Sequence, residues 1–355
     1  MATSRRRAGT RSQLVLRGLP FAAMALVAVA DLVAGPSLAF LSLLTLGPTF
    51  ASVSGSVRRT AAVGVLALVI CIPLSAYSGT LLTWQNNLTL ATLISVTGAS
   101  MLAAHLRLRR ERELANVRLV AEAAQRVLLR PVPRRAGDVH LALSYTSAAA
   151  EAHIGGDLYE VVTTPMGVRL IVGDVQGKGL GAVETAAWVL GAFREAAYDQ
   201  PDLVCVAQRV EATLTRHLGA ESFVTAILAE IGDGELTLLN CGHPAPLMLR
   251  RDGHIELITP PEESLPLGLS AMTSATPKTY SCTFGEQDQI LFYTDGVIET
   301  RDPDGAFYPL IDRAELLNEG DPQQALDALR EDLIDFAGGP LADDAAMLLL
   351  RRHGY

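Results

Sequence analysis

The sequence predicts two architectures in one chain: an all-α membrane domain of about four helices over residues 1–105, and an α/β (α+β) domain over residues 136–355, joined by a helical linker over 106–135. Three observations carry this. Four apolar runs fill the first hundred residues. Beyond Gly137 short β-like runs mix with amphipathic helices. Charge is also divided, since residues 1–135 hold 16 Lys+Arg and 4 Asp+Glu while the rest hold 13 and 34. A basic part suits an anionic membrane surface, and lipid is its expected partner. The acidic part excludes nucleic acid as a partner, because affinity for a phosphate backbone comes from Lys and Arg.

The apolar runs span roughly 19–33, 36–53, 61–77 and 88–105. Each approaches the ~20 residues needed to cross hydrocarbon as a helix, the first being short. A signal peptide explains only the first run, and no small-residue cleavage site is followed by polar sequence. A soluble bundle needs polar faces, and residues 61–70 have none. Arg5, Arg6, Arg7, Arg11 and Arg17 precede the first run, Arg58 and Arg59 lie between the second and third, and Arg107, Arg109, Arg110 and Arg112 follow the fourth. The loops around Gly35 and over 78–87 have no Lys or Arg. Positive residues stay inside, so both ends of a multi-pass cell-membrane protein face the cytoplasm. Trp84 fits an interfacial aromatic. Asp31, near the end of the first run, is an intramembrane carboxylate and so a candidate for sensing, or is simply wetted at the outer interface, and Asn87-Leu88-Thr89 is read as a chance glycosylation sequon.

From 106 to 128 a helix continues out of the last run, with Leu114, Val117, Ala121, Ala124 and Leu128 in one seam. Pro131 and Pro133 end it. The seam serves either a parallel homodimer or packing on the chain's own following domain, and two heptads do not choose between them. The four cysteines, Cys71, Cys205, Cys241 and Cys282, lack the grouping of a zinc or disulfide framework and read as reduced, packed thiols.

In the second part, strands are expected at 141–145, 168–172, 223–228, 236–240, 289–293 and 345–350, and helices at about 181–198 and 204–218. Aspartates recur at the strand ends. Asp157 follows Gly155-Gly156, Asp174 follows one strand and precedes Gly177-Lys178-Gly179, Asp295 follows another, and Asp343-Asp344 precede the last. An Asp beside Gly is commonly a turn. Four carboxylates gathered from separate strands would instead repel one another unless a divalent cation compensates, and oxygen ligands without His or Cys suit Mg²⁺ or Mn²⁺.

The segments Gly155-Gly156-Asp157-Leu158-Tyr159, Gly173-Asp174-Val175-Gln176-Gly177-Lys178-Gly179, Asn240-Cys241-Gly242-His243-Pro244-Ala245-Pro246, Pro266-Leu267-Gly268-Leu269, Tyr293-Thr294-Asp295-Gly296-Val297-Ile298-Glu299 and Asp343-Asp344-Ala345-Ala346 occur in this order. Together they resemble the stage-II-sporulation-E type of PP2C-like (PPM) protein serine/threonine phosphatases, over about residues 136–352. The resemblance implies an α-β-β-α sandwich with a two-metal centre at one edge. It also implies Asp157, Asp174, Asp295 and Asp343 as side-chain ligands of two Mn²⁺ or Mg²⁺ ions, the Val175 carbonyl as a further ligand, and Asp344 as the less favoured of its pair. The implied reaction is attack by metal-bound hydroxide on phosphoserine or phosphothreonine of a cytoplasmic regulatory protein of the anti-sigma antagonist type. Lys178 either contacts the substrate phosphate or solvates a loop tip. His243 is either a general acid or a turn-stabilising side chain. Glu160 and Cys241 depart from the family's common Asp and Ala, outside the expected ligand shell.

Other classes fit less well. A diguanylate cyclase motif would continue Gly-Gly-Asp with Glu-Phe, whereas Leu158-Tyr159 follow, and Lys178 is followed by Gly179 rather than the Ser or Thr of a P-loop. A transporter would need more spans and more intramembrane polar residues. The remaining alternative is a catalytically silent membrane receptor that keeps the phosphatase fold as a binding module.

Overall fold

The computed structural model describes residues 18–33, 40–147, 155–217, 222–272 and 276–353. The chain divides into two compact units, Met1–Val117 and Arg118–Tyr355. The expected arginines at 5, 6, 7, 11 and 17, the loop around Gly35 and the start of the second apolar run lie outside the described residues.

In the first unit, α1 (Gly18–Val33) is followed by a 3-10 turn (Phe40–Thr45) leading into α2 (Leu46–Ser54), then α3 (Val57–Tyr77) and α4 (Trp84–Leu128). Two of these, α3 and α4, are long and apolar enough to cross a membrane; Gly18–Val33 and Phe40–Ser54 are apolar but shorter. About four spans were expected, the first of them short; among the described residues two helices reach spanning length. The Ser56 hydroxyl caps α3 by accepting from the Arg59 N–H at 3.3 Å. Helices α3 and α4 approach closely at Gly64, where a Cβ would collide with the Thr97 side chain. At one end of this pair the Ser75 hydroxyl donates to the Asn86 amide oxygen at 2.7 Å. At the other, the Arg107 guanidinium donates to the Gly55 carbonyl at 2.7 Å. Arg58 and Arg59 therefore share an end of the bundle with Arg107.

The second unit is a layered sandwich. One antiparallel sheet has the order β1 (Arg135–Ala136), β2 (Val139–Thr146), β11 (Ala345–Arg352), β10 (Gln289–Tyr293), β7 (Leu247–Leu249), β8 (Ile255–Leu257). The other runs β3 (Leu158–Thr164), β4 (Gly167–Val175), β5 (Val224–Gly232), β6 (Glu235–Cys241), β9 (Tyr280–Thr283). Helices α5 (Leu180–Asp199) and α6 (Leu203–His217) pack on the second sheet, and α8 (Pro322–Ala337) packs on β2 and β11 of the first. The main core joins Ile171, Ile227 and Leu238 of one sheet to Leu141, Phe292 and Leu348 of the other, with Phe193 and Val210 of the helices. A second core lies between the outer face of the first sheet, at Leu291 and Leu349, and Leu326 and Leu329 of α8. Fully burying one such side chain stabilises by about 1.5–3 kcal/mol, so these layers hold each other in place.

Five of the six expected strands lie within β2, β4, β6, β10 and β11, the sixth starts one residue before β5, and the two expected helices match α5 and α6 to within a residue at each end. Strand β3 was not expected. Its buried Glu160 breaks the apolar run, and Arg194 of α5 satisfies it by donating at 2.7 Å. The fully buried Arg169 of β4 donates to Glu230 at 2.6 Å and to the Ala197 and Gln200 carbonyls at 2.9 and 2.7 Å, tying the end of α5 to its sheet.

The expected linker seam divides. Ala121 is fully buried against Val183 of α5, with Leu128 packed beside it, whereas Leu114 and Val117 are exposed. Arg194 donates to the Leu128 carbonyl at 2.9 Å, so the last turns of α4 belong to the sandwich.

Candidate metal centre

One end of the sandwich collects the acidic residues. Asp157 precedes β3, and Asp174 is the penultimate residue of β4, whose Gly173 pairs with Leu158. On the other sheet Asp295 opens the short helix α7 (Asp295–Ile298) directly after β10, and Asp343-Asp344 lead into β11. Antiparallel pairing of β10 with β11 brings those two points to the same end. Thr294 bridges the sheets there: its hydroxyl donates to Asp157 Oδ2 at 2.9 Å and accepts from the Ala346 N–H at 3.0 Å.

Two glycines make this end dense. At Gly155 a Cβ would strike the Asp344 carboxylate, and at Gly156 it would strike the Val175 carbonyl and come within 2.8 Å of Asp174 Oδ1. The Gly-Gly-Asp run is thus threaded between the two acidic segments, which only glycine permits. In the loop before α5, Gly177 and Gly179 have φ of 96° and 88°, the left-handed region glycine favours.

The electrostatics record the crowding. Burial, then the Asp174 carboxylate, hold Asp157 well above the usual carboxylate range, with Asp344 and Asp295 adding and Thr294 opposing. Asp174 is raised to about 7 by burial, then by Asp295 and Asp343, against Lys178 and the Val175 N–H. Asp295 is raised by burial, then by Glu299 and Asp343. Asp157, Asp174, Asp295 and Asp343 are therefore electrostatic neighbours, although they come from four separate segments.

The Asp343-Asp344 pair is split in role. Asp344 is buried and accepts from the Tyr145 hydroxyl at 2.6 Å and the Gly155 N–H at 3.1 Å. Asp343 is exposed and accepts from Lys178 Nζ at 2.7 and 2.8 Å. Lys178 is thus drawn to a carboxylate of the cluster, and its pKa is raised by that bond first. His243 is buried, and burial lowers its pKa to about 3. Its N–H donates to Asn240 Oδ1 and its carbonyl accepts from Asn240 Nδ2, both at 2.8 Å, so Asn240 clamps the turn. Its ring Nδ1 lies 3.2 Å from the Thr225 hydroxyl.

Whether these residues fit a metal is decided by donor chemistry. Every donor is a hard oxygen, and a nearby cation would relieve the crowding of the carboxylates, which suits a divalent ion. Among the described residues, however, no three His, Cys, Asp or Glu side chains already form a group able to hold an ion. The donor set fits in kind and charge, with Asp343 engaged by Lys178. Thr294 and Tyr145 were missed by sequence reasoning, and only the sequence neighbour Asp295 offered a signal for Thr294.

A family model described as stage II sporulation protein E (SpoIIE) matches residues 164–353. Among solved structures, the chain is similar to the SiaA-PP2C domain of Pseudomonas aeruginosa at 16% identity, over 68% of this chain and 98% of that one, with a TM-score of 0.58. It is also similar to the PP2C phosphatase domain, with a fragment of the regulatory domain, of the cell fate determinant SpoIIE from Bacillus subtilis, at 17% identity, over 61% and 63% of the two chains, with a TM-score of 0.52. The RsbU and RsbW domains of Rv1364c from Mycobacterium tuberculosis match at 24% identity, over 61% of this chain and 60% of that one, with a TM-score of 0.49. The match thus spans under two thirds of the Bacillus and Mycobacterium chains. With more than half of its residues under the family model and a PP2C-like arrangement of sheets and helices, this chain belongs to the SpoIIE family.

Proposed function

We propose that the chain is a membrane-anchored, metal-dependent protein serine/threonine phosphatase acting on a cytoplasmic phosphoprotein of the anti-sigma antagonist type. One observation carries the enzymatic reading: the Asp157, Asp174 and Asp295 carboxylates from both sheets crowd one end of the sandwich, with pKa values raised by burial and by one another. Two Mn²⁺ or Mg²⁺ ions held by Asp157, Asp174, Asp295 and Asp343, with the Val175 carbonyl, would supply an activated water and positive charge for the phosphoryl oxygens.

The chain's own residues prepare that site. Thr294 orients Asp157 from across the sandwich. Gly177 and Gly179 hold Lys178 at the exposed edge, where its ammonium neutralises Asp343 and attracts a phosphate dianion. Neutral His243 braces the site through Thr225, whose hydroxyl lies 3.5 Å from the Asp174 carbonyl, and burial disfavours the imidazolium that a general acid would require. Asp344 anchors Gly155, which leaves Asp343 as the ligand of the pair.

Multi-pass anchoring through about four helices is supported by the outward apolar side chains of the first unit. Leu26, Val65, Val69, Ile72, Ile94 and Leu102 are each more than half exposed, a face suited to lipid. The shared end of Arg58, Arg59 and Arg107 supports both chain ends being cytoplasmic. The domain limits 1–105, 106–135 and 136–355 are part of this reading, as is a homodimer through the exposed Leu114 and Val117 of the linker.

A second reading, a silent receptor, is favoured by the absence of a ready ligand group among the described residues. Manganese-dependent hydrolysis of p-nitrophenyl phosphate by the detergent-solubilised chain separates the two. Turnover that requires manganese and is lost in Asp174→Asn supports the phosphatase. No turnover at any manganese concentration supports the receptor.

A further inference from the structure

The last turns of α4 carry a buried amide that the proposed chemistry does not use. Gln125 is 8% exposed, and its Nε2 donates to the Tyr145 hydroxyl at 2.9 Å and to the Gly155 carbonyl at 3.3 Å. Tyr145, on β2, donates in turn to Asp344 Oδ2 at 2.6 Å. The same Asp344 oxygen accepts from the Gly155 N–H at 3.1 Å, and its other oxygen accepts from the Ser147 hydroxyl at 3.3 Å. Both peptide groups flanking the Gly155 Cα are thereby held, one through Gln125 and one through Asp344. Gly155 stands two residues before Asp157.

A primary amide is costly to bury and is retained where its bonds specify something. Apolar packing alone would dock this helix end, as Ala121 already does against Val183. Gln125 adds direction. Its two bonds go to the Gly-Gly-Asp run and to the phenol that holds the carboxylate on that run's other side. The loop can shift neither towards Asp344, where a Cβ-sized displacement already collides, nor away from it without breaking two hydrogen bonds.

We propose that Gln125 and Tyr145 are positioning residues for Asp157: a relay from helix to phenol to carboxylate fixes the Gly155-Gly156-Asp157 backbone, and so sets the affinity of the metal centre without touching the metal. The proposal rests on the metal-centre reading above. Groups that orient a ligand from behind typically change metal affinity by about 10- to 100-fold when removed.

The test is Mn²⁺ binding to the purified full chain, followed by the loss of the free-ion electron paramagnetic resonance signal, in wild type, Gln125→Leu, Tyr145→Phe and Asp174→Asn. Tyr145→Phe removes one oxygen and keeps the ring, so it stays informative where Gln125→Leu fails to fold. Gln125→Leu and Tyr145→Phe are each expected to weaken Mn²⁺ binding about tenfold or more. Gln125→Asn, which keeps the amide on a shorter stem, is expected to recover part of the loss. Manganese affinity within twofold of wild type in both Tyr145→Phe and Gln125→Leu, with binding lost in Asp174→Asn, overturns the positioning role and leaves the metal centre standing. A wild-type chain that binds no manganese overturns the metal centre and this proposal with it.

Discussion

The two sides of the acidic end are built differently. On the β3–β4 side, Asp157 is buried and Asp174 half-buried, and both are pushed up by burial and by neighbouring carboxylates. On the β11 side, Asp343 is exposed and already paired with the Lys178 ammonium. The same functional group is thus kept short of cation in one place and supplied with one a loop away. Uncompensated buried charge is unfavourable in a low-dielectric setting, so the β3–β4 side is where a dication gains most, and the Lys178 side is where it meets competition.

This contrast can be broken from either side. The largest effect is expected at the buried side. Asp174→Asn and Asp295→Asn should each lower manganese-dependent hydrolysis of p-nitrophenyl phosphate by at least about a thousandfold while circular dichroism keeps the folded signature. Thr294→Val removes the hydroxyl that holds Asp157 and should weaken Mn²⁺ binding by about 10- to 100-fold in titration calorimetry.

A third consequence concerns pH. Asp174 has a folded pKa of about 7 against about 3.9 unfolded, so the folded state binds its proton more tightly. Its contribution is complete below the unfolded value and is lost as pH rises through about 7. Metal-free wild type should therefore lose thermal stability relative to Asp174→Asn as pH rises from about 4 to about 7, and manganese should restore it above that range. The smallest effect belongs to the exposed side. Lys178→Met should change stability by less than about 1 kcal/mol, since an exposed pair is worth little. It should also strengthen Mn²⁺ binding modestly by freeing Asp343, and unchanged or weaker binding would mean that Lys178 does not compete.

The sequence carried the sandwich unevenly. Strands β5 and β10 were legible from their mainly apolar runs and β4 despite Arg169 within it, whereas β3, interrupted by Glu160 whose partner Arg194 lies a helix away, was not. The helix α8 was overlooked although Asp321 caps it, Pro322 opens it and Gly338 closes it in the left-handed conformation. The carboxylates were legible because each lies at the end or the start of a strand, with glycine beside Asp157, Asp174 and Asp295. What supports them was not. Thr294 reaches Asp157, Tyr145 reaches Asp344 and Gln125 reaches Gly155 across 137, 199 and 30 residues of chain, and no local periodicity encodes such meetings. The resemblance already favoured Asp343 over Asp344; that Asp344 is buried and Asp343 exposed was not legible, because the two are identical and adjacent. The linker seam was legible as a pattern but not in its partner, since Ala121 alone says nothing of Val183.

The most direct test is the number of manganese ions bound by the full chain at neutral pH, counted by calorimetric titration beside Asp174→Asn. The account predicts two ions per wild-type chain and a loss of binding in the variant. A wild-type chain that takes up none, or a variant that binds as the wild type does, would contradict a metal centre built on these carboxylates.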